Sequence, residues 1–126
     1  MPTTLVTLTA RPKKLFQQYL IELDKHMMDL KQGKATRAFE IRDFAALLFV
    51  HPVHLSNTVK EVTGKSTCDW YEEKLLNVSK ELLLETDLTI AAIAQQLTYD
   101  PSNFTKFFKH FTGVTPKHFR KSHIKS

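Results

Sequence analysis

Apolar residues recur at three- and four-residue spacing along most of the chain. This is the period of amphipathic helices, and no alternating pattern typical of strands persists. The first such stripe predicts a helix over residues 13–32, for which Gly33 is a suitable C-cap. The preceding segment, Met1 to Pro12, is expected to form an extended N-terminal arm.

Capping and turn residues divide the rest of the chain into six further helices. Pro52 and Pro101 suit the first position of a helix, and Thr89 suits an N-cap. The predicted helices cover about 41–48, 52–62, 68–84, 90–97 and 101–111, and a last short helix begins at Thr115-Pro116. The fold class predicted is all-α, with about seven helices.

Residues 41–70 and 90–119 repeat each other at an offset of 49 residues. Pro52 matches Pro101, and Thr63-Gly64 matches Thr112-Gly113. Each copy shows a short helix, a tight turn, a helix that begins at proline, and a Thr-Gly stop. A small residue in the first helix, Ala45 or Ala94, allows two helices to cross closely. This arrangement predicts two helix-turn-helix subdomains joined by a long linker helix.

The predicted domain bounds follow from this repeat. They are an arm at 1–12, a first helix-turn-helix subdomain at 13–66, a linker helix at 67–85, a second subdomain at 86–122, and a tail at 123–126.

The second helix of each copy has an apolar stripe that fixes its opposite face. That face carries short polar side chains and lysines, which suit a helix lying in a DNA major groove. The residues are Val53, Ser56, Asn57 and Lys60 in one copy, and Ser102, Asn103, Lys106 and Lys109 in the other. The four phenylalanines of the second copy, at 104, 107, 108 and 111, have the spacing of core residues.

Two recognition helices on one DNA face should lie about 34 Å apart, one helical turn. A linker helix from Cys68 to Leu84 spans about 25 Å at roughly 1.5 Å per residue, so with its flanking turns it could set that separation. A monomer would then suffice to occupy two adjacent major-groove segments.

Charge is unevenly distributed along a chain of net charge +5. The segment from Pro101 to Ser126 holds six Lys or Arg residues and no acid, whereas Asp69 to Asp87 holds six acids and two lysines. A basic C-terminal quarter indicates a polyanionic partner. His110 and His54 are expected near phosphates.

Other chemistry finds little support in the sequence. The single cysteine, Cys68, suits a reducing cytoplasm. No signal peptide or membrane-spanning run is visible. Histidines such as His51 and His54 lack the cysteines or carboxylates that would complete a zinc site. We expect no cofactor, no metal and no catalytic activity, because no convergent set of catalytic residues is present.

The chain resembles the DNA-binding domain of the AraC/XylS family of transcription regulators over about Phe39 to Arg120. The clearest motifs are Asp87-Leu88-Thr89-Ile90-Ala91-Ala92-Ile93-Ala94 and the run from Phe104 through Thr115-Pro116 to Phe119-Arg120. The resemblance implies a seven-helix DNA-binding fold, control of transcription, and contact with RNA polymerase as in many activators. By position it implies base contacts from Ser56, Asn57 and Lys106, and phosphate contacts from Lys60, Lys65, Thr105 and Lys109.

Some residues depart from the family pattern. Thr98 stands where glycine is common, and Ser102 and Asn103 differ from the more frequent glutamines. The DNA sequence preference therefore does not carry over. Only residues 1–38 precede the repeat, so the chain is expected to be either a stand-alone member or an excised domain.

A second hypothesis stays open: a helical protein-interaction module with weak, non-specific DNA binding. The region Ala35 to Cys68 has a net charge of only +1, and an exposed apolar patch around Met27-Met28 would favour this alternative.

Overall fold

The structure, a computed structural model, describes the backbone of residues 2–123 and the side chains of residues 11–123. Within this part of the chain the fold is all-α, with seven helices and no strand. The helices are α1 (Pro2–Lys31), α2 (Ile41–Leu47), α3 (Pro52–Thr63), α4 (Thr67–Glu85), α5 (Ile90–Gln96), α6 (Pro101–Thr112) and α7 (Pro116–His123). The predicted fold class is confirmed. Of the predicted tail 123–126, only His123 is described, and the rest lies outside the described residues.

The predicted extended arm at 1–12 is wrong over residues 2–12, because α1 begins at Pro2. Proline suits the first position of a helix, where its missing N–H has no intrahelical acceptor. Pro12, taken from the sequence as the end of the arm, lies inside the helix. A proline there removes one backbone hydrogen bond, to the carbonyl of Leu8, without ending the helix. At its other end α1 stops as predicted, with Gly33 at φ 74°.

The chain divides into two compact units. The N-terminal unit comprises Met1–His26 and Phe39–Glu72, and the C-terminal unit comprises Met27–Ala38 and Glu73–Ser126. This division passes through α1 and α4, whereas the bounds predicted from the sequence lie at the ends of the linker helix. Each unit contains one complete copy of the repeat.

The N-terminal unit buries the apolar stripe of α1 together with α2 and α3. Tyr19 and Leu23 of α1, Phe44 of α2 and Leu55 and Val59 of α3 are each at most 2% exposed. The rings of Tyr19 and Phe44 meet edge to face, 5.3 Å between centroids. Burial of such side chains contributes roughly 1.5–3 kcal/mol each. The packed core thereby holds α3 by its apolar side.

The C-terminal unit is built in the same way around aromatic residues. Phe104 and Phe108 of α6 are fully buried, and Phe108 meets Phe119 of α7 at 5.2 Å. Phe107 is 9% exposed and stacks on Tyr99. The prediction of core positions is wrong for Phe111, which is 45% exposed. It lies one turn beyond Phe107, where the last turn of α6 extends past the core.

Helix α4 is continuous over 19 residues, as the sequence predicted. Its buried side is made of Leu75, Val78, Leu82 and Leu83 with Ser79, whose hydroxyl donates to the carbonyl of Leu75 at 2.8 Å. Among the described residues, the structure contains no helix with the length and apolar character needed to span a bilayer.

Candidate nucleic-acid interface

Each unit contains a short helix, a left-handed turn and a longer second helix. The turns contain the only non-glycine residues with positive φ in the described chain, Phe49 at 57° and Thr98 at 65°. These two residues are 49 positions apart, so the repeat extends to backbone conformation. After each turn one N–H donates to a carbonyl five residues earlier, from Val50 to Ala45 at 3.0 Å and from Tyr99 to Ala94 at 2.8 Å.

The second helices start with the same geometry but different chemistry. The N-cap of α3 is His51, whose Nδ1 accepts the N–H of Val53 at 3.1 Å. The N-cap of α6 is Asp100, whose carboxylate accepts both the N–H of Ser102 at 3.1 Å and its hydroxyl at 2.7 Å. The hydrogen bond from Ser102 and the charge of Lys106 hold the pKa of Asp100 below its ordinary value. An imidazole in one copy is therefore replaced by an ionised carboxylate in the other.

The second helices also end alike. Gly64 and Gly113 adopt left-handed conformations at φ 76° and 82°. The hydroxyls of Thr63 and Thr112 each donate to the carbonyl four residues earlier, at 2.8 Å. A left-handed residue after a helix favours glycine, since a Cβ there is strained. The Thr-Gly stop thus fixes the length of both second helices.

The polar face of α3 is open but weakly charged. Val53 is 58% exposed, Asn57 and Lys60 are exposed, and Ser56 is half-buried. Glu61 follows Lys60 directly and is also exposed, so the formal charge of α3 is zero. Of the predicted contact residues within α3, Val53, Asn57 and Lys60 are thus the ones whose side chains are open to solvent.

The polar face of α6 carries more positive charge. Ser102, Asn103, Lys106, Lys109 and His110 are exposed, and no acid lies within the helix. Thr105 is half-buried, which leaves less of its side chain available. The hydroxyl of Ser102 already donates to Asp100, as described above. The side chains most available for contacts are therefore those of Asn103, Lys106, Lys109 and His110.

Lys65 occupies a different setting from the other predicted phosphate contacts. Its ammonium lies 4.4 Å from the ring centroid of Trp70, a cation–π distance, and the side chain is half-buried. Trp70 in turn donates its indole N–H to the hydroxyl of Thr63 at 3.1 Å and packs on Phe16 at 5.3 Å. Trp70 therefore orients Lys65 just beyond the end of α3.

Sequence reasoning missed the role of Arg120, which it treated only as part of a family motif. Its guanidinium donates to the carbonyls of Leu83 at 2.9 Å, Leu88 at 2.6 Å and Thr86 at 3.3 Å. These carbonyls belong to the end of α4 and the connection to α5. Arg120 therefore fastens the segment that leads into the second helix-turn-helix, and it positions that copy.

The matching position in the first copy is Tyr71, which serves the N-terminal unit through a different contact. Its hydroxyl lies 3.2 Å from Nε2 of His26, a nitrogen that also accepts the N–H of Phe39 at 3.1 Å. Since Nε2 accepts, the proton of this imidazole is on Nδ1. In the sequence, Tyr71 and Arg120 are related only by the repeat offset of 49 residues, and nothing there indicates the contact that either residue makes.

Helix α7 adds basic residues that the residue-level prediction did not assign to DNA. Lys117, His118 and Lys121 are exposed, next along the chain after α6. The acid-free composition of the C-terminal quarter was the signal that could have identified them.

Exposed apolar residues gather in the N-terminal unit at another place than the sequence suggested. Phe49 is 95% exposed, Ile21 55% and Leu47 47%, and together they border one shallow groove. The expectation of an exposed patch at Met27-Met28 is wrong for Met27, which is 4% exposed because it lies on the buried side of α1. Within the described residues, no three His, Cys, Asp or Glu side chains are grouped so that they could hold a metal ion.

The comparisons with known proteins agree with this geometry. A family described as a helix-turn-helix domain matches residues 44–122. The Bacillus subtilis protein YisR, described as an uncharacterized HTH-type transcriptional regulator, is 25% identical over 129 residues, which cover 90% of this chain and 45% of YisR. The chain thus spans about half the length of such curated relatives.

Two solved structures share the fold. A transcriptional regulator of the AraC-type from Chromobacterium violaceum superposes with a TM-score of 0.73 at 18% identity, covering 90% of this chain and 95% of that one. The DNA-binding domain of AdpA, solved with a target DNA, gives a TM-score of 0.70 at 15% identity, covering 86% and 91%. With the family match over more than half of its residues, the chain belongs to the AraC-type helix-turn-helix family of transcription regulators.

Proposed function

We propose that this protein is a sequence-specific duplex-DNA-binding regulator that inserts α3 and α6 into adjacent major-groove segments. The observation that carries the proposal is the duplicated helix-turn-helix. Turn, cap and stop are reproduced at an offset of 49 residues, while the polar side of each second helix stays exposed. Two reading helices in one chain make a monomer sufficient.

The exposed faces support a division of roles among their residues. For base contacts we assign Val53, Ser56, Asn57, Ser102, Asn103 and Lys106. An exposed valine suits a thymine methyl group, and amide or ammonium groups suit the polar edges of bases. For phosphate contacts we assign Lys60, Lys65, Thr105, Lys109 and His110. Hydroxyl, ammonium and imidazole N–H groups are common donors to phosphate oxygens.

Similarity to AdpA, a global transcriptional factor whose domain was solved on DNA, supports a DNA partner for this fold. The family assignment supports it independently. The surface charge adds a physical reason, because lysines that neutralise phosphates release counterions and make binding favourable at low salt.

The test is selection of bound duplexes from a random DNA library at near-physiological salt, followed by sequencing. We expect a motif with two blocks of base preference about one helical turn apart. A single block would show that only one helix reads bases. No enrichment, with binding that vanishes as salt rises, would contradict sequence-specific recognition.

A second candidate function is docking of another protein, and the exposure of Phe49 favours it. Phe49, Leu47 and Ile21 present an apolar surface outside the polar face of α3. Monomeric proteins rarely leave large contiguous apolar patches without a use. RNA polymerase is the partner expected for a transcription activator.

This candidate is tested with Phe49→Ser on a promoter that carries the selected DNA motif. We expect unchanged DNA affinity and reduced transcription by purified RNA polymerase. The matched control is Met28→Ser, which replaces an exposed apolar residue of the C-terminal unit. Equal transcription from both variants and the unmodified protein would exclude this surface as the docking site.

A further inference from the structure

The N-terminal unit contains an apolar cavity of about 260 Å³ that takes no part in the contacts proposed above. It lies where α1, the start of α2 and the first turns of α4 meet. Its wall includes four aromatic rings together with Ile41 and Cys68. The rings belong to Tyr19, Phe39, Phe44 and Tyr71.

The hydroxyls of the two tyrosines that line this cavity are occupied by contacts within the protein. The hydroxyl of Tyr19 donates to the carbonyl of Thr67 at 3.1 Å. The hydroxyl of Tyr71 lies 3.2 Å from Nε2 of His26. A ligand that needed strong hydrogen bonds would have to break these contacts, so the cavity suits a largely apolar molecule.

The charges around the cavity favour an uncharged ligand over an anionic one. Among the residues whose side chains the structure describes, its lining contains Glu40 and no lysine or arginine. The carboxylate of Glu40 is paired with Arg42 at 2.8 Å, which lies outside the lining. At Cys68, Glu72 adds a second carboxylate, with its Oε1 3.5 Å from Sγ. An anionic ligand would be repelled by the carboxylate of Glu72, whereas an uncharged ligand would not.

The size sets an upper limit on the ligand. An apolar cavity of roughly 150 Å³ lined by aliphatic and aromatic residues binds benzene. A cavity of about 260 Å³ therefore has room for one bicyclic ring system. Aromatic rings stack or meet edge to face with such a ligand and add to the gain from burying apolar surface.

We propose that this cavity is a binding site for a small, uncharged aromatic molecule. The site is formed by residues of α1, α2 and α4 that also hold the first helix-turn-helix, so a bound ligand stabilises that copy. The proposal is independent of DNA recognition, and its test uses no DNA.

Cys68 provides a native reporter, since it lines the cavity, is exposed, and is the single cysteine of the chain. The experiment measures the rate of its alkylation by iodoacetamide with and without indole as the probe. Because occupied molecules are shielded, an indole concentration of ten times Kd should slow alkylation about tenfold. Indole-3-carboxylate at the same concentration should leave the rate unchanged, since it carries a negative charge.

Two variants locate the effect. Ile41→Trp fills the cavity and should abolish the protection by indole. Leu84→Trp adds a tryptophan at an exposed position of α4 in the C-terminal unit and should retain it. Amide chemical shifts of the unmodified protein, titrated with indole, provide a readout that needs no variant. We expect the largest shifts at Phe39, Ile41 and Cys68. Absence of these shifts, equal protection by the carboxylate, or protection that persists in a folded Ile41→Trp would overturn the proposal.

Discussion

The two helix-turn-helix copies share one backbone design and present two different surfaces. Turn conformation, Pro-initiated second helix and Thr-Gly stop coincide at an offset of 49 residues. Several exposed positions differ, although Lys60 matches Lys109: Asn57 corresponds to Lys106, and Glu61 to His110. Positions that determine the backbone are therefore alike, whereas positions that would meet a partner have diverged. We therefore expect the two proposed DNA contacts to differ in strength, with the C-terminal copy as the stronger electrostatic anchor.

The largest difference between the two copies is expected from Arg120, which holds the C-terminal copy in place and has no arginine counterpart in the N-terminal copy. Arg120→Ala removes three charged hydrogen bonds and leaves the carbonyls of Leu83, Thr86 and Leu88 without that donor. We expect a loss of about 3 kcal/mol in the free energy of unfolding, since hydrogen bonds to charged groups contribute roughly 1.5–3 kcal/mol each and do not add fully. Urea unfolding followed by circular dichroism measures it.

Two further variants separate the tether from a general effect of charge. Arg120→Lys keeps the charge but lacks the planar fork, so it should restore little of the stability. Lys121→Ala removes a neighbouring exposed cation and should change stability by less than about 0.5 kcal/mol. If Arg120→Lys were as stable as the unmodified protein, the three-carbonyl geometry would not be the cause.

The next effect concerns DNA and compares matched positions of the two copies. Lys106→Ala should lower affinity for the selected DNA motif by about 1–3 kcal/mol and relax base preference within one block. Asn57→Ala, its repeat mate, should relax the other block instead. The measurement is a competition assay over the selected motif and single-base variants of it. Lys13→Ala on α1 is the control for loss of one exposed charge. Unchanged affinity and preference would remove Lys106 from the base contacts.

A smaller effect distinguishes phosphate contacts from base contacts. Lys109→Ala should weaken binding evenly across DNA sequences and reduce the slope of log K against log salt by about 1, the loss of one phosphate contact. Lys60 is the matching residue of the first copy, and Glu61 beside it repels phosphate. Lys60→Ala should therefore reduce affinity less than Lys109→Ala does. A loss at Lys109 confined to the selected motif would contradict the phosphate assignment.

Much of the fold could be predicted because its determinants are local. Proline at 52 and 101, glycine at 64 and 113, and apolar residues at helical spacing each act within a few residues. The N-terminal arm was mispredicted because Pro12 was taken as the end of an extended segment, whereas it lies inside α1. The carbonyl tether of Arg120 and the cavity beside Cys68 escaped prediction for another reason, since both depend on residues brought together from distant segments.

The same distinction between local and long-range determinants applies to the candidate interface. Which side of α3 and α6 is exposed follows from their apolar stripes, so Asn57, Lys106 and Lys109 could be placed on an open face from the sequence. The surroundings of individual side chains could not be inferred. The hydroxyl of Ser102 is taken up by the N-cap Asp100, and Lys65 lies over Trp70, and neither contact has a signature in residue spacing.

The smallest expected effect concerns the stability of the two turns, at Thr98 and Phe49. Thr98 combines a left-handed conformation with a β-branched side chain. Among the described residues, its hydroxyl is the buried side-chain polar atom that has no hydrogen-bond partner. A non-glycine residue in this conformation costs of order 1–3 kcal/mol, and glycine loses roughly 0.5–1 kcal/mol more backbone entropy on folding. Thr98→Gly should therefore raise the free energy of unfolding by about 1 kcal/mol. Phe49→Gly relieves only the backbone strain, since the side chain of Phe49 is 95% exposed. It should therefore raise the free energy of unfolding by less than Thr98→Gly does. Urea midpoints at constant m-value measure both. If Thr98→Gly is the less stable protein, the hydroxyl of Thr98 contributes a contact that stabilises the turn, and the two turns differ in more than their exposure.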